Sequence, residues 1–343
     1  MFSELTRERF ARFRGIRRAW WSFLILTGAF VLSLFSEFLA NDKPLLLRYH
    51  GRTYFPVVRF YPESRFGLPH ATEPDYLALR QDSSFRAAGG RMLFPIIPYG
   101  PYRTNLDLAG NPPQPPSRAH WLGTDNTARD VLARLLYGFR LCMAFALIIS
   151  LLAAVFGILI GGLQGYLGGI TDLLGQRLIE IWSALPFLYV VILLGAIYGR
   201  SFALLVFVVA IFEWIGLSYY LRGEFYRLKN LAYVKAARAL GIPEWRIFFR
   251  HVLPNALTPV VTILPFTLVA GISTLTSLDF LGFGLQPPAP SWGELLRQGL
   301  DNLQAPWLAL TSTIALFITL MLAIFIGEGV REAFDPKADA RVE

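Results

Sequence analysis

Residues 120–130 read HWLGTDNTARD and bring His120, Asp125 and Asp130 within eleven positions of one another. An imidazole and two carboxylates at such spacing are the raw material of a metal site or a general acid–base pair. The same residues also suit a plainer role. Thr124 or Asp125, standing ahead of a helix over Ala128–Tyr137, would accept hydrogen bonds from its first free amides, and capping is the favoured reading. Elsewhere the chain carries little that could react. Its four histidines (His50, His70, His120, His251) fall in separate segments, and the single Cys142 lies inside an apolar run, so no intrachain disulfide can form. There is no GxxxxGK[ST] phosphate loop, no HExxH and no GxSxG nucleophile turn. No catalytic residue, metal or cofactor is expected on this chain.

The remaining chemistry-bearing residues are carboxylates in or near apolar runs. A carboxylate at the bilayer centre costs about 2.5–3.5 kcal/mol, so it faces protein or water. Glu213, in LLVFVVAIFEWIG, could face a translocation path and attract a cationic substrate group, or could be a buried partner or a protonated acid. Glu180 lies near a span end and can snorkel. Asp279 closes a span, where it would either shape a gate or cap the helix.

The elements that must position these residues are long apolar runs. Of the 343 residues, 54% are hydrophobic and only 16% charged, and 141–171, 181–199, 201–212, 251–278 and 302–327 contain no Asp, Glu, Lys or Arg. About 20 apolar residues in a helix cross the hydrocarbon core, and backbone polar groups there must be satisfied within the segment. The chain is therefore expected to be an all-α membrane protein, with six spans near 19–40, 139–165, 176–198, 201–221, 256–283 and 307–328. The net charge of +8 comes from Lys and Arg in short runs beside spans, which points to topology signals rather than nucleic acid. Arg7, Arg9, Arg12, Arg14, Arg17 and Arg18 place the N-terminus in the cytoplasm, with Phe10, Phe13, Trp20 and Trp21 suiting an interfacial segment over 1–18. The loop 222–255 and the tail 329–343 then fall inside as well. The long segment 41–138, rich in Pro, Tyr and Arg, falls outside as a small extracytoplasmic insertion of strands and loops, including a β-like run over Thr53–Phe60.

The loop 222–255 contains YVKAARALGIPEWRIFFRHVLPN. Residues 231–240 are alanine-rich and helix-forming, and Gly241 suits a left-handed helix end. Pro243 fits the first turn of a second helix, in which Trp245, Phe248, Phe249 and Val252 fall on one apolar stripe and Arg246 and Arg250 on another face. Ala236, Ala237 and Ala239 would let a partner's backbone approach, and Leu253-Pro254 would turn the chain into the next span. Two helices bent at Gly241 on the cytoplasmic face make a docking element.

The spacing of Ala236-Ala237, Gly241 and Leu253-Pro254 resembles the EAA loop of ATP-binding-cassette importer permeases, with Lys235 where that family usually has Glu. WLGTDNTARDVLARLLYGFR (121–140) and LDFLGFGLQPPAPSWGELL (278–296) narrow the resemblance to C-subunit permeases of the dipeptide and oligopeptide type. The resemblance implies a type I importer permease fold and uptake of peptides, microcin C-like peptides included. Lys235, Ala236, Ala237, Arg238, Gly241, Trp245, Arg246, Leu253 and Pro254 would couple to the ATPase, with Glu213 and Asp279 as pathway or gate residues. Implied partners are a homologous B-type permease, two ATPase subunits (or one fused ATPase) that carry ATP and Mg, and a periplasmic peptide-binding protein, in a bacterial inner membrane. A self-contained secondary transporter, or a membrane protein that moves nothing, are the other classes. The first would need ion-coupling charges near mid-membrane and usually an internal repeat.

Overall fold

The computed structural model describes residues 4–106 and 110–334, so the tail expected at 329–343 lies outside the described residues from 335 onward. In chain order come α1 (Glu4–Gly15), α2 (Arg17–Leu34), α3 (Ser36–Leu39), β1 (Leu46–Tyr49), β2 (Arg52–Tyr54), α4 (Tyr76–Gln81), α5 (Ser83–Ala87) and β3 (Arg91–Leu93). There follow α6 (Val131–Leu167), α7 (Gly169–Ser183), α8 (Phe187–Tyr198), α9 (Phe202–Lys229), α10 (Ala232–Ala239), α11 (Glu244–Ile247), α12 (Leu253–Phe280), α13 (Trp292–Asp301) and α14 (Pro306–Phe334). Among the described residues, four helical stretches are long and apolar enough to cross a membrane: 131–167, 202–229, 244–280 and 306–334. A fifth exists if α7 and α8 count as one span, but they are bent by 70° at Ala184–Pro186, where proline interrupts the backbone hydrogen-bond ladder.

The chain divides into two compact units. One comprises residues up to 27, 142–286 and 317 onward. In it α6 meets α9 along Gly157, Gly161 and Gly165, spaced every fourth residue, against the Leu217 side chain at the first and the α9 backbone at the other two. A methyl group on Gly161 would lie 2.5 Å from the Ser218 carbonyl oxygen, so only glycine permits this approach. Beside that seam, Leu221, Phe225, Val234, Ile247, Val252 and Val260 form one continuous core with Ala154 of α6. At the chain ends, Phe13 and Ala19 are buried with Ala333, Arg18 reaches Glu328 at 3.5 Å, and Phe10 and Trp21 remain exposed.

The other unit comprises 28–141 and 287–316. It holds a three-stranded antiparallel sheet in the order β2-β1-β3, with Leu47 opposite Tyr54 and Met92. The strand expected over Thr53–Phe60 ends at Tyr54 because Pro56 has no amide to extend the ladder. Leu47, Tyr61, Phe66, Tyr76, Leu79 and Phe85 make a small core under the sheet, and Tyr49 stacks on Phe85 at 5.1 Å. Here too the Tyr137 hydroxyl donates to the Ala40 carbonyl at 3.0 Å, and Arg140 pairs with Glu37 at 2.8 Å.

Candidate functional site

The segment 231–252 folds as the expected helical hairpin. Gly241 has φ of 74°, a left-handed conformation costly for other residues. The Ile242 amide donates to the Ala237 carbonyl and the Gly241 amide to that of Arg238, which is the Schellman closure of α10. Inside the bend, Arg238 forms a two-pronged pair with Glu244, and the Tyr166 hydroxyl donates to the same carboxylate. That carboxylate, ahead of burial, raises the pKa of Arg238 and keeps the pair ionised. Neither Tyr166 nor Glu244 was singled out from sequence. The Arg238–Glu244 ion pair spans the bend at a separation of six residues, a signal that charge spacing alone could have raised.

Three details of the hairpin differ from expectation. Val234 and Ala237 are buried in the unit's core, whereas Lys235, Ala236, Arg238 and Ala239 are exposed. Ala237 therefore faces inward, because α10 needs two apolar contacts a turn apart to dock at all. The expected stripe is also divided. Val252 is buried with Ile247 and Phe248 is half-buried, but Trp245 and Phe249 are 63% and 61% exposed. The cause is a π-helical turn over Phe248–Val252, whose wider i→i+5 pattern shifts the phase of the helix. Finally, Leu253-Pro254 does not turn the chain. The helix runs unbroken from Glu244 to Phe280, and the Leu253 amide reaches the Phe248 carbonyl just ahead of Pro254, which lacks an amide of its own. Phe248 packs between Tyr166, at 5.0 Å, and Phe225, at 5.7 Å. Arg246 lies over the Trp245 ring at 5.3 Å and Arg250 is exposed, so the outer face carries Lys235, Leu240, Trp245, Arg246 and Phe249.

In the sheet-bearing unit, the motif 121–140 meets residues 288–294 of the second motif. The cap of α6 is Asp130, not Thr124 or Asp125: its Oδ1 accepts from the Ala133 amide at 2.8 Å, and its Oδ2 lies 2.8 Å from His120 Nδ1. The helix starts at Val131 because Asp125 is used otherwise. Its Oδ1 accepts from the Thr127 and Arg129 amides, both at 2.9 Å, and its Oδ2 from Arg129 Nε at 2.7 Å. Arg134, fully buried, donates to Glu294 at 2.5 Å and to the carbonyls of Pro101, Pro288 and Ala289. Arg129 also reaches Glu294, at 3.2 Å. Trp292 Nε1 donates to the Leu135 carbonyl at 3.0 Å, and the indole stacks on Phe139. The carboxylates at 125, 130 and 294 are thus spent on ion pairs and amides, and the arrangement is a structural knot rather than a reactive centre.

Of the carboxylates near spans, Asp279 is buried, and its Oδ1 accepts from the Leu285 amide at 2.6 Å, fastening the turn after α12. Arg200 donates to the Gly282 carbonyl in that turn. Glu180 is exposed and pairs with Arg177 one turn away. Glu213 is half-buried on α9, and among the described residues its carboxylate has no hydrogen-bond or ion-pair partner. An unanticipated pair joins α7 to α9, Asp172 with Arg222.

Residues 153–340 match the family model described as binding-protein-dependent transport system inner membrane component. The chain is 49% identical to the inner membrane ABC transporter permease protein YejE of Escherichia coli, across 97% of this chain and 98% of that protein. It is 43% identical to the peptidoglycan transport system permease protein YejE of Agrobacterium fabrum, across 99% and 95%. The oligopeptide transport system permease protein OppC of Haemophilus influenzae is 36% identical over 64% of this chain and 70% of its own length. A multi-pass helical chain with these relatives and this family match belongs to the inner membrane components of binding-protein-dependent transport systems, as an ABC transporter permease.

Proposed function

We propose that the chain is one of two homologous permease subunits in an ATP-driven importer of peptides, lining half of the pathway. In this reading it has six spans, with α2 and α3 forming the first and bent α7–α8 another. Both termini lie in the cytoplasm, and the sheet-bearing segment 41–138 lies outside, where a peptide-binding protein delivers cargo. ATP and Mg are bound by two ATPase subunits or one fused ATPase, and this chain has no catalytic role. Peptide as the cargo class is supported by relatives named for oligopeptide and peptidoglycan transport; microcin C-like peptides fall within that class. Glu213, half-buried and unpaired among the described residues, faces the pathway in this reading.

The observation that carries the proposal is the outer face of the hairpin. Leu240, Trp245 and Phe249 are 80%, 63% and 61% exposed on a bend that is internally fastened, a patch that needs a partner groove. Lys235, Ala236 and Arg246 flank it. Co-expression with the cognate ATPase and purification in mild detergent tests this. Leu240→Asp and Trp245→Ala should leave the chain folded but lose the ATPase. Retention of the ATPase by both variants, or proton-coupled peptide uptake by the chain alone in liposomes, would overturn it. Ala237→Glu is unsuitable, because it would bury a charge in the chain's own core.

A further inference from the structure

The sheet-bearing unit has a half-open cavity of about 800 Å³ beside α4 and α5, with Arg80, Arg86, Tyr99, Arg103, Asn105 and His120 in its wall. Its charges are unequally committed. Arg103 makes a two-pronged pair with Asp75, at 2.9 and 2.8 Å. Arg80 lies over the Phe94 ring at 5.5 Å, and Arg86 Nε donates to the Arg80 carbonyl at 2.8 Å. These contacts position both guanidinium groups without neutralising them, and among the described residues neither has an acidic partner.

His120 adds direction. It is 4% exposed, its Nδ1 is engaged by Asp130 at 2.8 Å, and its ring lies on Tyr99 with centroids 4.3 Å apart. In the neutral tautomer whose Nδ1–H donates to the carboxylate, Nε2 is an acceptor, and among the described residues nothing donates to it. Burial first, and the Asp130 charge second, hold the Tyr99 hydroxyl in its protonated form. The wall therefore offers two guanidinium groups without acidic partners, the imidazole nitrogen, a phenol and the Asn105 side-chain oxygen, whose Nδ2 is taken by the Ala128 carbonyl at 2.9 Å.

We propose that this cavity binds a short peptide by its terminal carboxylate, with Arg80 and Arg86 taking the carboxylate and His120 Nε2 and Asn105 meeting peptide amides. Guanidinium groups pair with carboxylates through parallel hydrogen bonds. The volume is within the roughly 300–1,000 Å³ of small-ligand sites, more than a bare inorganic anion needs. Peptide as ligand rests on the transport reading above, but the site is tested without transport. The full chain in detergent is titrated calorimetrically with trialanine, trialanine amide and inorganic phosphate at neutral pH. Trialanine should bind, its amide should bind at least about tenfold more weakly, and Arg80→Gln or Arg86→Gln should each weaken trialanine roughly tenfold. Both arginines are exposed, so the variants should fold, which the near-ultraviolet circular dichroism of the unit's packed aromatics, Tyr49 on Phe85 among them, checks. Equal binding of acid and amide, binding of phosphate without trialanine, no binding at all, or unchanged affinity in the Arg80→Gln/Arg86→Gln double variant each overturns the proposal. Failure of uptake in the assembled importer, with trialanine binding intact, would instead count against the transport reading.

Discussion

Replacing Glu294 by Ala should destabilise the sheet-bearing unit, and the size of the loss can be worked from its partners. Asp125, Glu294, Arg129 and Arg134 balance charge for charge, with Arg134 wholly buried. Removing Glu294 leaves a buried excess positive charge. Breaking a buried pair from one side costs about 3–5 kcal/mol. Arg134 would keep three carbonyls and Asp125 at 3.4 Å, and Arg129 would keep Asp125 at 2.7 Å, which argues for the lower end, near ~3 kcal/mol. At roughly 2 °C per kcal/mol for a large chain, the midpoint should fall by about 6 °C. Near-ultraviolet circular dichroism in detergent follows unfolding on heating through packed aromatics of this same unit, such as the buried Trp292 stacked on Phe139. The double variant Arg134→Met/Glu294→Leu should recover much of the loss, since two apolar side chains leave no orphan charge. A Glu294→Ala midpoint within a degree of the parent, or a double variant as impaired as the sum of its singles, would refute the reasoning.

Gly161→Ala should sharply lower the yield of folded chain, because the new methyl meets the Ser218 carbonyl. Gly216→Ala, with open space around it on α9, should be neutral or slightly stabilising; equal behaviour of the two in size-exclusion profiles would rule out the glycine seam. Burial would raise the Asp75 pKa, but Arg103 and the Ala78 and Leu77 amides outweigh it and hold it below the usual carboxylate value. A depressed carboxylate pKa gives stability that is complete above about pH 4 and is lost as pH falls through the lowered value. Amide exchange over 76–81, corrected for intrinsic rates, should therefore quicken on acidification, and a step of the same size in Arg103→Gln would discount the pair. Glu244→Gln should barely move the melting midpoint, since an exposed pair contributes about 0–1 kcal/mol. In the assembled complex it should weaken peptide-stimulated ATP hydrolysis by loosening the bend at Gly241, and undiminished stimulation would argue against a positioning role.

The apolar runs were readable because a membrane helix leaves no room for charge, and the positive φ at Gly241 followed from a glycine after an alanine-rich helix. The glycines at 157, 161 and 165 stand in plain view at small-xxx-small spacing, and what they touch needed the path of α9. Other features were hidden for physical reasons. Asp125 and Asp130 are equally good caps by residue type, and the choice depends on Arg129 and Arg134 claiming the first. That claim is set by Glu294, about 160 residues away in the chain. The inward turn of Ala237 and the split of Trp245 from Val252 depend on a π-turn, which a 3.6-residue period cannot foresee. Proline at 254 read as a corner, yet the wide turn ahead of it lets the helix continue.

That continuity, with the core shared by Phe225, Val234, Ile247, Val252 and Val260, bears on how force would travel. A hairpin joined to a helix by a free loop would swivel under load and dissipate a displacement locally. Here the bend is fastened by Arg238 and Glu244, its second arm is the beginning of α12, and Phe248 is wedged against α6 and α9. A push on Trp245 is thus delivered to α6, α9 and α12 together, as a rigid tooth moves the wheel it is cut from. Compliance has to reside elsewhere in that unit, and the 70° bend at Ala184–Pro186 is one place for it.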